Sequence, residues 1–557
     1  MDNYEIADKF SLLAKLMDIH GENSFKSKTY SSAAFAIEKL PQQIASLSHE
    51  KIFQVRGIGE SVGKKVIEIL ENGEMQTLRE YIINTPSGVL EMMNIKGLGP
   101  KKINTLWKEM KIDSIEELQK ACEENLIATK KGFGEKTQQN ILESIQFQKQ
   151  SAGKYLYKKV ESFAIAFTEQ LKGKFSADKI EITGEFRRQL EIIESLEWVT
   201  TISSDKLKNY LLNDHVRLVV DRDGMLVLTT EETLFLHFHI VPEIDFYTKL
   251  FETSCSDEFL NEWTALSNPK DNSSEEKIFS SAEFKFIPPY LRESKNILLN
   301  GREKNFDNIV QTSDIKGLIH SHSNWSDGSY TIEEMAAELI HLGFEYLVIS
   351  DHSKSAGYAN GLTEQRIREQ HRYIDDLNKK FAPFKIFKSI ECDILGDGSL
   401  DYENKILSTF DLVITSIHSN LDMDEEKAMK RLIGAITNPY TTILGHMTGR
   451  LLLKRKGYPV DHKTIIDACT DHHVVIEINA SPSRLDMDWR WIDYAMEKGL
   501  TLSINPDAHT IEEFHNVKYG VLVAQKGALT KSKNLSSYSL KEFEEFLQRT
   551  KKIKGIS

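Results

Sequence analysis

The sequence predicts a multidomain protein with an all-α N-terminal region, a mixed α/β middle region and a C-terminal, largely parallel (β/α) barrel. Its 557 residues are too many for one compact core, since a typical domain holds roughly 150 residues. Up to about residue 150, apolar residues recur at helical spacing. From about residue 313, short apolar runs alternate with amphipathic helices, which is typical of a parallel barrel. We therefore expect domains at 1–150, 151–300 and 313–557.

The composition is that of a soluble globular protein, with 40% hydrophobic and 27% charged residues. The chain carries 70 Lys and Arg residues against 83 Asp and Glu residues, a net charge of −13. Residues 1–150 hold 20 basic and 21 acidic residues, so the acidic excess lies almost wholly in the rest of the chain. A partner that is bound by charge, such as a nucleic acid, is therefore expected at the N-terminal region.

Four widely separated cysteines, without a CxxC pair, argue against a disulfide scaffold and against a thiolate zinc site. No apolar run approaches the roughly 18 residues that a membrane span needs, and the first residues do not resemble a secretory signal. We expect a cytoplasmic protein that does not bind a membrane.

Three glycine-containing turns recur in the N-terminal region, and each precedes a helix that bears lysine. The glycine spacing does not fit a dinucleotide fingerprint, because Val62 stands where the fingerprint requires glycine. It does not fit a P-loop either, because the spacing from the first glycines to Gly63 and Lys64 is wrong. Glycine lets a backbone approach a ligand closely, and the N–H groups of the next helix attract phosphate. The turns resemble helix-hairpin-helix motifs, which implies sequence-independent binding to the DNA backbone. The alternative is that the glycines only end helices. The candidate DNA-binding residues are Gly57, Gly59, Lys64, Lys65, Gly97, Gly99, Lys101, Lys102, Gly132 and Gly134.

The middle region contains three runs with strand character, Val216–Val220, Met225–Thr229 and Phe235–Val241, before the polar stretch Asn268–Glu275. We expect a mixed α/β region with a surface loop.

Ligand-type side chains follow nearly every apolar run of the C-terminal region. The runs are Gly317–His320, Tyr346–Ser350, Ile386–Ile390, Leu412–Thr415, Thr442–Leu444, Val474–Ile478 and Leu500–Ile504. The carboxyl ends of barrel strands converge on one face, where catalysis takes place. Six histidines and three carboxylates are too many for one tetrahedral ion, so we expect two or three divalent ions, Zn²⁺ or Mn²⁺, that hydrolyse phosphoesters. The predicted ligands are His320, His322, Asp327, His352, Glu391, His418, His446, Asp507 and His509.

The order of these nine residues resembles the PHP family, the polymerase and histidinol phosphatase domain, over roughly 313–540. The resemblance implies a metal cluster that hydrolyses phosphoesters. Arg450 follows His446 closely and is the predicted catalytic residue that stabilises phosphate charge, while Arg484 is a second candidate for phosphate contact. Surface ion pairs would explain both arginines equally well.

Taken together, the three regions resemble a bacterial X-family DNA polymerase with a C-terminal PHP domain, which implies a nucleotidyltransferase-like middle region. That family places three aspartates in its polymerase site. The corresponding positions here are Ser195, Glu197 and His237. One carboxylate of three is a poor Mg²⁺ site, so we expect polymerase activity to be lost unless Glu191 or Glu194 supplies ligands.

The leading hypothesis is a DNA repair enzyme, a metal-dependent 3′-5′ exonuclease or 3′-end-processing phosphoesterase that acts on gapped or recessed DNA. The alternatives are an active gap-filling X-family polymerase with an attached exonuclease, a DNA-binding adaptor with a structural metal cluster, and a small-molecule phosphatase. Lys65 also stands where some family members carry a lyase lysine, although a solvated lysine would look the same.

Overall fold

The computed structural model describes residues 1, 3–38, 40, 42–95, 97–299 and 306–556. Lys96, which lies within the second glycine turn, is outside these ranges. The chain forms two compact units, Met1–Ala152 and Gly153–Ser557. The middle region and the barrel, which the sequence analysis separates, pack together in the second unit.

Among its described residues, the first unit contains helices joined by turns and no strand. In α4, Val62, Val66 and Ile69 lie three and four residues apart, so they share one face and are all buried. The helices are α1 (Asn3–His20), α2 (Ser24–Glu38), α3 (His49–Ile52), α4 (Glu60–Asn72), α5 (Gln76–Ile83), α6 (Ser87–Met92), α7 (Pro100–Asn104), α8 (Ile115–Glu123) and α9 (Glu135–Ser151).

The middle region is built on a mixed sheet. Its elements are β1 (Tyr155–Leu156), α10 (Tyr157–Lys174), β2 (Ile180–Thr183), α11 (Gly184–Arg187), β3 (Ile192–Ile193), β4 (Ser195–Thr200), α12 (Ser204–Leu211), β5 (Val216–Arg222), β6 (Met225–Thr230), β7 (Phe235–Ile240), α13 (Phe246–Thr253), α14 (Asp257–Leu266), α15 (Glu275–Ser281) and α16 (Asn296–Leu299). The strand order is β2-β4-β7-β6-β5, and only the β4–β7 pair is parallel. Trp198 and Phe238 stack on each other in its core, with ring centroids 5.2 Å apart.

Strands and helices alternate through the rest of the second unit. The elements are β8 (Gly317–Ser321), α17 (Ile332–His341), β9 (Tyr346–Ile349), α18 (Glu364–Phe381), β10 (Lys385–Lys388), β11 (Glu391–Asp393), α19 (Asn404–Leu407), β12 (Ile414–Ser416), α20 (Glu425–Ile436), β13 (Ile443–Leu444), α21 (His462–Asp471), β14 (Val475–Asn479), α22 (Ile492–Glu497), β15 (Leu502–Asn505), α23 (Val517–Lys526) and α24 (Leu540–Ile553).

These strands close into a parallel barrel. One sheet has the order β10-β9-β8 and the other runs β11-β12-β13-β14-β15. A parallel bridge between His352 and Glu391 joins the sheets on one side, where β10 and β11 form one interrupted strand. A parallel bridge between Ser321 and Ala508 closes the other side. Counting β10 and β11 together, seven strands form the ring within described residues 306–556, which confirms the predicted fold class.

None of the described helices combines the length and the apolar character that a membrane span requires.

Candidate metal centre

The structure brings all nine predicted ligands together at the carboxyl ends of the barrel strands. Glu391 contacts five imidazoles, Asp507 contacts two, and Asp327 contacts three. Three overlapping groups of donor atoms, each spanning at most 4.8 Å, have the size of metal sites. The groups are His322, Asp327, His352 and His509; then His320, His322 and Glu391; then His352, Glu391 and His418.

The end of β8 directs two imidazoles to the same place. The register between β8 and β9 shifts after Leu318, and His320 takes a positive φ of 63°. Such a backbone is rare outside glycine and is found where the surrounding structure holds it, often at a functional site. The His320 and His322 ring centroids lie 5.3 Å apart.

Glu391, the first residue of β11, lies at the middle of the centre. Its Oε1 atom lies 3.3 Å from Nε2 of His320, 3.2 Å from Nε2 of His418 and 3.0 Å from Nε2 of His446. Its Oε2 atom lies 3.0 Å from Nδ1 of His352. This carboxylate faces imidazoles on both oxygens and belongs to two of the three donor groups, so it could supply a ligand atom to each of them.

Two aspartates complete the centre on the side of β15. Asp507 Oδ1 lies 3.1 Å from Nε2 of His322 and 3.4 Å from Nε2 of His320. The carboxylate of Asp327 lies 3.6 Å from Nε2 of both His352 and His509. Like His320, Asp507 has a positive φ, of 53°.

The donor atoms fit a set of divalent ions. Several buried atoms of the centre lack a hydrogen-bond partner among the described residues, and burying such an atom without a partner costs about 1–3 kcal/mol. Imidazole and carboxylate donors without thiolates suit zinc or manganese. The residues present therefore fit a metal cluster. The atoms that form no hydrogen bond, although some lie within ion-pair distance of one another, are His320 Nε2, His322 Nδ1, His352 Nδ1, Glu391 Oε2 and His446 Nδ1.

The electrostatics of the centre follow from this crowding. Burial, together with the imidazoles of His509 and His352, lowers the pKa of His322 to about 3. Burial alone would also lower the pKa of His418, but Glu391 and Asp393 raise it to about 10. The surrounding imidazoles hold the pKa of Glu391 well below its usual range, despite its burial. Glu391 and Asp393 therefore form ion pairs with His418, and a bound cation would take the place of the imidazole protons.

Sequence reasoning missed the carboxylates that orient the ligands. Glu477 on β14 accepts a hydrogen bond from Nδ1 of His320 at 2.6 Å, and Asp393 contacts Nδ1 of His418. A carboxylate behind an imidazole fixes the proton on the outer nitrogen and directs the other nitrogen to the metal. Their positions in the sequence could have indicated this role, because both carboxylates lie on barrel strands beside predicted ligands.

The two predicted phosphate-binding arginines have different surroundings. Arg450 donates to the carbonyl of Arg484 at 2.9 Å and to Asp488 at 2.8 Å, and its Nη2 atom lies 3.6 Å from Glu191 of the middle region. The guanidinium of Arg450 therefore links its own loop to the loop of Arg484 and Asp488 and to the middle region. Nε of Arg484, in contrast, lies 3.7 Å from Oδ2 of Asp507, so Arg484 is the arginine that reaches the centre. The catalytic role of Arg450 stays a prediction.

The middle region has an ion pair where a polymerase would hold Mg²⁺. Glu197 and His237 face each other on β4 and β7, and Nε2 of His239 lies 2.9 Å from Oε2 of Glu197. Burial raises the pKa of Glu197, but the imidazoles of His239 and His237 lower it further, to below its ordinary value. Ser195 approaches the same carboxylate at 3.5 Å. The one carboxylate of the predicted triad is thus paired within the protein.

The neighbouring arginines are also engaged. Arg187 donates to Ser254 at 2.7 Å and pairs with the buried Glu275. Arg188 pairs with Glu293 at 3.0 Å, and the buried Lys526 of α23 pairs with that same carboxylate. The cationic side chains of this region therefore hold its helices and the barrel together.

The glycine turns of the first unit present an accessible backbone. Gly59, Gly99 and Gly134 stand immediately before α4, α7 and α9, and a Cβ atom on any of the three would meet nothing within 4 Å. Gly97 has a φ of 84°, which L-residues other than glycine rarely adopt.

The lysines beside these turns have different partners. Lys64 pairs with Glu60 at 2.7 Å, and Lys65 donates to Thr77. Lys102 donates to the carbonyl of Gly97 at 3.1 Å, while Lys101 is exposed. Their contact with DNA stays a prediction.

Comparison with known proteins gives three family matches in chain order. The helix-hairpin-helix domain matches residues 1–75, the SAM-like helix-hairpin-helix tandem matches 89–146, and the PHP domain matches 319–481.

Two probable phosphatases resemble the C-terminal part of the chain. One, from Thermoanaerobacter sp. (strain X514), is 27% identical over 248 residues, which cover 42% of this chain and 96% of that protein. The other, YcdX of Escherichia coli O81 (strain ED1a), is 26% identical over 170 residues, 29% of this chain and 63% of that protein.

A third relative matches the whole chain. The DNA polymerase/3'-5' exonuclease PolX of Bacillus subtilis (strain 168) is 32% identical over 579 residues, which cover 99% of this chain and 100% of that protein. Because this match runs the length of both proteins, with helix-hairpin-helix matches at the front and a PHP match at the back, the chain belongs to the X-family DNA polymerases that carry a C-terminal PHP domain.

Proposed function

We propose that the protein is a DNA repair enzyme whose PHP centre hydrolyses phosphoesters at DNA 3′ ends, as a 3′-5′ exonuclease or an end-processing enzyme, and that polymerase activity is lost. The observation that carries the proposal is Glu391, whose two oxygens face five imidazoles at the carboxyl end of a parallel barrel. Two or three divalent ions, Zn²⁺ or Mn²⁺, are the proposed cofactors, held by the nine residues described above.

The chain's own residues would prepare the reaction. Bound ions would activate water and stabilise the attacking and leaving oxygens of the phosphoester. Glu477 and Asp393 hold two of the imidazoles in place. Arg484 lies beside Asp507, where its positive charge would orient a phosphate oxygen.

DNA is the proposed substrate because of the first unit. Glycine turns that leave open space before a helix allow a phosphate to approach the helix N-terminus. Such contacts hold the backbone without reading its sequence, which suits an enzyme that acts on gapped or recessed ends. A phosphatase that acts on small molecules does not need such contacts with a DNA backbone.

The proposed loss of polymerase activity rests on the pairing of Glu197 with His239 and on Ser195 and His237 at the other two positions. Mg²⁺ needs near-octahedral oxygen ligands, and an imidazole paired to the one carboxylate competes with it. Arg187 and Arg188, which flank this site, are occupied by Glu275 and Glu293.

The test uses a 5′-labelled primer annealed to a longer template, with Mn²⁺ and all four deoxynucleotides. We expect shortening of the primer, which disappears in His320→Ala and in His322→Ala. Glu497→Gln, an exposed change on α22, is the matched control and should behave as the wild type. If the wild type binds DNA but does not shorten the primer, the metal centre is structural and the protein is an adaptor. If the histidine variants shorten the primer as fast as the wild type, the nuclease site is not this metal centre.

The second candidate is an active gap-filling polymerase, which the name of the Bacillus relative favours. Lengthening of the primer in the same assay would support it and would show that Glu197 binds Mg²⁺ despite its pairing with His239.

A further inference from the structure

Tyr358 is an exposed aromatic side chain at the edge of the metal centre. It is 69% exposed, whereas every other Phe, Tyr and Trp side chain within described residues 306–556 is buried or half-buried. Its ring centroid lies 6.2 Å from that of His352, a proposed ligand. An aromatic ring in water gains by stacking on another flat apolar surface.

The loop that carries Tyr358 is fixed at both ends. The N–H of Leu362 donates to the carbonyl of His352 at 2.8 Å, and Ser353 forms a parallel bridge with Leu362. A Cβ atom on Gly361 would lie 1.9 Å from the carbonyl oxygen of Ser353, so the loop closes too tightly for any other residue there.

The tip of the loop is held to its neighbours as well. Asn360 donates to the carbonyl of Trp325 at 3.2 Å, and Arg366 donates to the carbonyl of Asn360 at 2.8 Å. Tyr358 is thus presented on a backbone that is already ordered, so a ligand that binds the ring does not have to order the loop.

The charges near Tyr358 indicate what it would bind. Although most of the side chain is exposed, partial desolvation of the phenol beside the centre raises its pKa, as do the carboxylates of Asp393, Glu391 and Asp327, while Arg484 acts in the opposite direction. The tyrosine is therefore neutral at physiological pH, and both the carboxylates of the centre and the guanidinium of Arg484 act on its phenol. A ligand that spans these features has a phosphate for the metals and Arg484, and a flat ring for Tyr358.

We propose that Tyr358 stacks on the base of the 3′-terminal nucleotide whose phosphoester is hydrolysed, so that the centre selects a nucleotide over a phosphoester without a base. This inference rests on the proposed function and names the substrate feature that the site reads. Stacking on an aromatic side chain tolerates any base, because every base has a π-face.

The experiment compares the wild type, Tyr358→Ala and Tyr358→Phe on two 5′-labelled recessed primers. One primer ends in thymidine and the other ends in a tetrahydrofuran nucleotide, which lacks a base. In Tyr358→Ala, we expect kcat/KM on the thymidine end to fall by at least about fivefold, with little change on the baseless end. Tyr358→Phe keeps the ring and should retain the wild-type preference. Bound metal per protein is measured for all three, and we expect it to be equal.

Three results would overturn the inference: no loss in Tyr358→Ala, an equal loss on both ends, or the same loss in Tyr358→Phe, which would assign the role to the hydroxyl. If the wild type shortens neither primer, the proposed function fails, and a binding measurement still tests the stacking. Thymidine 5′-monophosphate should then bind the Mn²⁺-loaded protein more weakly after Tyr358→Ala, while deoxyribose 5-phosphate binds equally. Equal affinities of the two proteins for the nucleotide would refute it.

Discussion

Replacing Glu477 by glutamine tests whether the carboxylates behind the ligands build the metal centre. Glu477 is fully buried and accepts four hydrogen bonds, two on each oxygen. The donors to Oε2 are Nδ1 of His320 at 2.6 Å and Nδ2 of Asn505 at 2.8 Å. The donors to Oε1 are the N–H of His446 at 3.1 Å and Nδ2 of Asn479 at 2.9 Å.

The magnitude follows from those four bonds. Glutamine has one acceptor oxygen, so in either orientation two of the four donors face an NH₂ group. Each buried donor without a partner costs about 1–3 kcal/mol, which gives about 2–6 kcal/mol of lost stability in the metal-free protein. If the NH₂ group faces His320, the imidazole proton moves to Nε2 and blocks the atom that faces Glu391. Loss of such an orienting partner typically weakens metal binding about 10–100-fold.

Titration of the metal-free protein with Mn²⁺ by calorimetry, together with thermal unfolding before and after loading, measures both effects. Glu497→Gln makes the same chemical change at an exposed position and is the control. Unchanged Mn²⁺ affinity in Glu477→Gln would refute the reasoning, because it would mean that His320 keeps its orientation without the carboxylate.

Three further predictions concern other parts of the chain. Removal of the metals with a chelator should lower the unfolding temperature, since an ion at 100 times its dissociation constant stabilises the fold by about 2.7 kcal/mol; an unchanged calorimetric transition would contradict a site formed by folding. Burial lowers the pKa of Lys554 to about 8, so the folded protein disfavours its charge and gains stability as pH rises from about 8 towards the unfolded value near 10.5. Lys554→Met removes this penalty together with the hydrogen bond from Nζ to the carbonyl of Thr441, so in urea unfolding its stability relative to the wild type should fall as pH rises from about 8 towards 10; a constant difference would exclude the titration as its cause. Ser195→Asp combined with His237→Asp supplies, together with Glu197, three carboxylates and should create measurable Mg²⁺ binding in the middle region. If calorimetry detects no binding, the three carboxylates are not sufficient for an Mg²⁺ site there.

The sequence was sufficient to predict the barrel and the convergence of the nine candidate ligands, because both depend on local order. Each apolar run that ends near a histidine or a carboxylate corresponds to a strand or its edge in the structure, as at Glu391 on β11. The convergence of parallel strand ends then brings the ligands together without further information.

The parts that sequence reasoning missed depend on distant contacts. Nothing near Arg450 in sequence indicates that it will pair with Asp488 and lie beside Glu191, which are 38 and 259 residues away. The shift in register at His320 likewise follows from pairing with β9 and the closure against Ala508, and not from the local sequence. In the middle region, the sequence indicated the imidazole at His237, but the pairing of Glu197 with His239 needed the register of β4 and β7.

The closure of the barrel between Ser321 and Ala508 has a consequence for how the enzyme matures. The metal centre draws His320 and His322 from one side of that seam and Asp507 from the other, although they are separated by more than 180 residues of chain. Contacts this distant in sequence form slowly, after the intervening helices and strands have been organised. A nascent chain would therefore have no complete metal centre until its last barrel strand is in place.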